Sequence, residues 1–133
     1  MGQYWIPVNL DKKEFIDPHK LASGLKLWEI VANDHVGKAL CILCAAMPEQ
    51  RGGGDLCESP TVGRWAGDRI ALVGDYADDG DLPKKHKASK IYSKCRDGKY
   101  VDVTDEVCAV IEAELDGKFS GIGCRSFKYN SEN

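Results

Sequence analysis

The chain has 133 residues, of which 43% are hydrophobic and 29% charged, and a formal net charge of −3. That length suits one domain burying roughly two-thirds of its unfolded surface. The composition excludes a disordered chain and speaks against nucleic acid as a partner.

The amino-terminal Met1-Gly2-Gln3-Tyr4-Trp5 leads to Asp11, Lys12 and Lys13 with no apolar signal core between them. The longest apolar run, Ala39 to Met47, is too short to span a bilayer. The expected location is therefore cytoplasmic, with no membrane partner. Gln3 to Asn9 is rich in β-formers, and Lys13 to Ile16 reads as a short return strand across Leu10-Asp11-Lys12. Asp17-Pro18 is a helix start, because Asp17 can cap exposed amides and proline is tolerated in the first turn. Leu21, Leu25, Trp28 and Ala32 follow at helical spacing, with Trp28 expected inside.

Asn33-Asp34 marks the end of that helix and the cap of the next, which is expected from His35 to Met47 with Pro48 as its stop. It is apolar nearly all round, which predicts a central, buried helix. Cys41 and Cys44 lie within it as C-x-x-C. Without a second pair at metal-ligand spacing they are expected to be buried, reduced and metal-free. Glu49 to Gly63 has glycines, charges and Pro60 but no periodicity, so it reads as a long loop of the kind that is often functional.

Ile70 to Val73 is a short buried strand with a Gly-Asp pair at each end, Gly67-Asp68 and Gly74-Asp75. Asp78 to Lys87 is polar, and its basic run Lys84-Lys85-His86-Lys87 reads as a solvated connection. Lys90–Cys95 and Lys99–Val103 flank Asp97-Gly98 and are expected to pair as a hairpin. Thr104 is the expected cap of a last helix with Val107, Val110, Ile111 and Leu115 on its inner face and Gly117 at its end. Phe119 to Tyr129 is expected as an edge strand. The sum is one α+β domain over residues 1–133. It has a mainly antiparallel sheet of about five strands and about three helices packed on one face.

The opening Met-Gly-Gln-Tyr-Trp, the Asn9-Leu10-Asp11-Lys12-Lys13 segment, and Trp65-Ala66-Gly67-Asp68-Arg69-Ile70 with Gly74-Asp75-Tyr76 resemble a family of short hypothetical proteins. The resemblance covers most of the chain. It implies a single intact domain, and with no known activity in that family it carries over no catalytic residue.

Strand ends are where folds expose chemistry, and here they hold Asp68, Arg69 and Asp75, followed by Asp78, Asp79 and Asp81. Read as a calcium loop from Asp75, the acidic segment fails at position 3, Ala77, and at position 12, His86. A looser Mg²⁺ or Ca²⁺ site on Asp75, Asp78, Asp79 and Asp81 stays open beside the reading of a solvated turn. Arg51-Gly52-Gly53-Gly54-Asp55 lacks the pattern of a phosphate loop, yet Arg51, Arg64 and Arg69 would recognise an anion if they converged. His19, His35 and His86 lie in no nucleophile motif.

Arg69 and Asp75 would stand about 20 Å apart along a regular strand, so the candidate divides. An Asp68–Arg69 site would take an anion, with Arg51 and Trp65 at its edge, and an Asp75–Asp81 site a metal. The expected function is a non-catalytic binding or interaction protein. It would recognise an anionic small molecule or a protein partner through the 49–63 loop and the ends of strand 70–73. The alternatives are a small metal-dependent hydrolase or transferase using Asp68, Arg69 and Asp75, and a homo-oligomeric structural protein.

Overall fold

A computed structural model of the chain describes residues 2–83 and 86–115. The chain is α+β, and its described part divides into two compact units, residues 2–37 with 68–104 and residues 38–67 with 105–115.

The first unit holds the sheet. Strand β1 (Trp5–Asn9) pairs antiparallel with β3 (Ile70–Gly74) along its whole length, from Trp5 opposite Gly74 to Asn9 opposite Ile70. On its other side β1 pairs antiparallel with β2 (Glu14–Phe15), Val8 facing Phe15. A short β4 (Val101–Asp102) adds parallel to β2, giving the order β3-β1-β2-β4. Pro7 sits in the second strand of that order without breaking it. Its carbonyl accepts from the Ile16 amide at 3.2 Å, so its missing donor faces the β2 side, where the partner strand is only two residues long. Ile6, Val8, Phe15 and Val73 form the core of this unit with Ile91 and Cys95 from helix α3 (Ala88–Arg96). Burial there pushes the Cys95 thiol up to about 12.

Among the described residues the sheet is thus four-stranded and mixed, not a mainly antiparallel one of about five strands, and four α-helices accompany it rather than three. The largest correction is at Asp97-Gly98. Lys90–Cys95 is helical, with Ala88, Ile91 and Cys95 buried at the helical spacing of three and four. Gly98, at φ +81°, ends that helix, and the Lys99 amide folds back to the Lys94 carbonyl at 2.9 Å. A positive-φ glycine serves a helix end as readily as a hairpin turn.

The first expected helix is also broken in two. Asp17 does cap a 3-10 turn, Pro18–Leu21, by accepting from the His19 amide at 3.0 Å. Ala22 then turns left-handed at φ +58°, and α1 starts only at Leu27 and ends at Val31. The reason lies in the sheet, because the Trp5 amide donates to the Leu25 carbonyl at 2.8 Å, which holds residue 25 out of a helix. Trp28 is 82% exposed, against the expectation that it lies inside. At the last helix, α4 (Thr104–Leu115), the capping acceptor is Asp102, which takes the Thr104 amide at 2.9 Å. Thr104 is its first residue instead of its cap. Gly117 and the Phe119–Tyr129 strand lie outside the described residues.

Helix α2 (Asp34–Cys44) is capped as expected, Asn33 Oδ1 accepting from the Val36 amide at 2.9 Å. It ends at Cys44, well before Pro48. The Gly63 and Trp65 amides occupy the Ile42 and Leu43 carbonyls, each at 2.8 Å, so the returning chain closes the helix in place of another turn. Gly63 makes this possible: φ is +81°, and a Cβ there would come within 2.4 Å of the Ala45 carbonyl oxygen. The helix is one-sided. Val36, Ala39, Ile42 and Leu43 are buried, whereas Cys41 and Cys44 are exposed thiols, contrary to expectation. No helix among the described residues is long and apolar enough to cross a membrane.

Candidate functional site

The residues at the start of β3 are held by the β1–β2 turn. Asn9, fully buried at the end of β1, accepts from the Asp11 and Lys12 amides on Oδ1 at 2.9 and 2.8 Å and donates from Nδ2 to Asp68 at 2.9 Å. Lys12 Nζ also reaches Asp68. Arg69 lies against Asp11 with two guanidinium bonds, at 2.9 and 2.6 Å, and its amide donates to the same carboxylate at 2.8 Å. These contacts hold both carboxyls below the usual range, Asp11 chiefly through the Arg69 side chain and Asp68 chiefly through Lys12. Asp68 and Arg69 therefore face different partners, and both serve to pin the β1–β2 turn to β3. A cleft of about 320 Å³ adjoins Arg69, lined also by Leu10, Ala71, Leu82 and His86.

The acidic segment is engaged in the same way. Asp75 and Tyr4 close the far end of the β1–β3 ladder, the Tyr4 amide donating to Asp75 Oδ1 and the Asp75 amide to the Tyr4 carbonyl, both at 2.9 Å. Asp81 accepts from the Asp78 amide at 2.9 Å and thereby shapes the 3-10 turn Asp79–Asp81. Asp79 accepts from the Ser89 hydroxyl and amide at 2.5 and 3.1 Å, capping α3 from outside its own element, and the Ser89 hydroxyl bond leads in holding the Asp79 carboxyl low. No three His, Cys, Asp or Glu side chains gather as metal ligands among the described residues.

The 49–63 loop is ordered by carboxylates and hydroxyls turned onto its own backbone. Asp55 accepts from the Arg51 and Gly52 amides at 2.9 and 3.0 Å, Glu58 from the Gln50 amide at 2.8 Å, and Ser59 Oγ from the Thr61 and Val62 amides at 3.2 Å. The Arg51 guanidinium lies 3.8 Å from Glu49, with both side chains mostly in solvent. Trp65 has no exposed surface, so it belongs to the interior and offers no face to a ligand in this conformation.

Within the second unit the loop meets α4, and there an acidic side chain is taken out of water. Val107, Ile111 and Glu114 follow at i, i+4 and i+7 and are all buried, Glu114 to 5% exposure. Glu114 Oε2 accepts from the Cys57 amide at 2.9 Å, while Oε1 is buried with no hydrogen-bond partner among the described residues. A buried carboxyl oxygen left without a partner carries a desolvation cost, and such a group calls for an explanation.

Glu114 lines two clefts. One, of about 340 Å³, is walled by Cys57, Ser59 and Thr61 of the loop and by Glu106, Ala109, Val110 and Ala113 of α4. The other, of about 290 Å³, is bounded by Lys38, Cys41, Ile42, Leu56, Ile111 and Leu115. Ala109 and Ala113, one turn apart, leave the hollow that the first cleft occupies. Sequence reasoning singled out this loop but set it against the ends of strand 70–73, and it missed Glu114. Its signal was an acid at a position of the apolar stripe, where burial demands a partner.

No protein-family profile matches the chain, and neither a curated protein nor a solved structure does.

Proposed function

We propose that the protein is a non-catalytic binding module whose recognition surface is the cleft between the 49–63 loop and α4. The observation that carries this reading is Glu114, a carboxyl group removed from water at the cleft wall, with Oε2 bonded to the loop and Oε1 without a hydrogen-bond partner among the described residues. A concave, mostly apolar site with one or two placed polar groups is the common form of a small-molecule pocket. The reading keeps the loop as one wall and takes α4, in place of the ends of β3, as the other. Asp68, Arg69 and Asp75 each hold backbone or a neighbouring side chain, and a ligand at the strand ends would compete with those bonds.

The test is a fragment screen of the full chain by ligand-observed NMR, run in parallel on Ala113→Trp. Ala113 is an exposed residue of the helix that lines the cleft, so the indole fills the hollow without entering the core. Fragments that bind the parent should lose binding to the variant. Fragments that bind both equally place the site elsewhere and defeat the reading.

A further inference from the structure

We infer that the ligand of this cleft carries a primary ammonium group on a short apolar body, with the ammonium bound by Glu114 Oε1; the inference rests on the binding reading above. Three features of the cleft converge on that chemistry. The first is the unsatisfied acceptor. Glu114 Oε1 is buried and has no donor among the described residues, so a donor group arriving there recovers a hydrogen bond whose desolvation cost folding has already met.

The second is sign. Among the described residues the wall of this cleft includes two acids, Glu106 and Glu114, and no Lys, Arg or His, Lys38 lying in the second cleft beside Glu114. An anion is repelled there, and a cation gains a charge-assisted bond in a site partly shielded from solvent. The third is shape. The rest of the wall is small and largely apolar, Ala109, Val110 and Ala113 from α4, with Ser59 and Thr61 at the loop side. A cavity of about 340 Å³ has room for a chain of a few methylenes. A guanidinium would present its donors as a planar fork suited to two acceptor oxygens. Here Oε2 is already taken by the Cys57 amide, so a single-point ammonium is the better match.

Isothermal titration of the full chain with 1-hexylammonium, 1-hexanol and hexanoate tests this directly, because the three ligands share one apolar body. The ammonium should bind about tenfold tighter than the alcohol, the worth of a charge-assisted hydrogen bond over a neutral one, and hexanoate more weakly than either. In Glu114→Gln, which keeps an acceptor for the Cys57 amide, the preference for the ammonium over the alcohol should vanish while alcohol binding persists. The ligand series on the parent protein stands even if that variant does not fold. Equal binding of alcohol and ammonium overturns the inference and leaves the cleft as a binding site, as does tighter binding of hexanoate. Binding of all three that survives Ala113→Trp overturns the cleft itself, and so does failure of all three to bind.

Discussion

At the scale of single residues, many of the described acids act as acceptors for the protein's own backbone. Asp11 takes the Arg69 amide and guanidinium, Asp55 two loop amides, Asp75 the Tyr4 amide, Asp79 Ser89, and Asp81 the Asp78 amide. Several of these carboxyls are held below their ordinary range, Asp11 by Arg69, Asp68 by Lys12, Asp55 by the Arg51 and Gly52 amides and Asp79 by Ser89. The consequence for stability has a definite sign. A carboxyl whose folded pKa is depressed binds fewer protons folded than unfolded, so its contribution is complete above the unfolded value of about 4 and is lost as pH falls through the folded values. The urea midpoint should therefore be flat near neutral pH and fall steadily below about pH 4. Asp11→Asn should lower the neutral plateau and shallow that slope. A midpoint that rises on acidification would contradict the account. None of this pairing was legible in the sequence, where Asp68 stands next to Arg69 and invites the assumption that they bond each other. Their partners are 56 and 58 residues away, supplied by a hairpin turn whose register places Lys12 and Asp11 over the start of β3.

At the scale of elements, the legible features were those set by local chemistry. The strands β1 and β3, the Asn33 cap, the Asp17 cap and the long loop all appear where apolar runs and capping residues put them. The misreadings arose where a distant partner decided. Asp97-Gly98 fits both a hairpin and a helix end, and the buried spacing of Ala88, Ile91 and Cys95 settles it as the latter. The C-x-x-C helix looked apolar on all sides because cysteine and alanine read as apolar wherever they face, yet only one side is covered. Substitutions report this one-sidedness. Leu43→Ala, on the fully buried face of α2, should cost about 2–5 kcal/mol in the unfolding free energy. Trp28→Ala, at an exposed position of α1, should stay within about 0.5 kcal/mol of the parent despite removing the larger side chain. Comparable losses from the two would show that α1 and α2 are buried otherwise than described.

At the scale of the whole molecule, the candidate site was half legible. The 49–63 loop stood out by its length and lack of period, and its residues Cys57, Ser59 and Thr61 line a cleft with α4 rather than with the ends of β3. The other wall was hidden because Glu114 lies among the exposed acids of α4 in composition and differs from them only by burial. Clefts of about 320 Å³ also lie at the two ends of β3, but Asp81 beside one and Arg69 beside the other already bond within the protein. What sets the loop–α4 cleft apart is a buried acceptor without a partner among the described residues. The most direct test is a map of backbone amide shifts in the full chain on titration with 1-hexylammonium. The account predicts saturable shifts at residues 57–59, at Thr61 and at residues 106–114, largest at the Cys57 amide because it shares the Glu114 carboxyl group with the ligand. Saturable shifts confined to the ends of β3, or to the exposed face of α1, would contradict it.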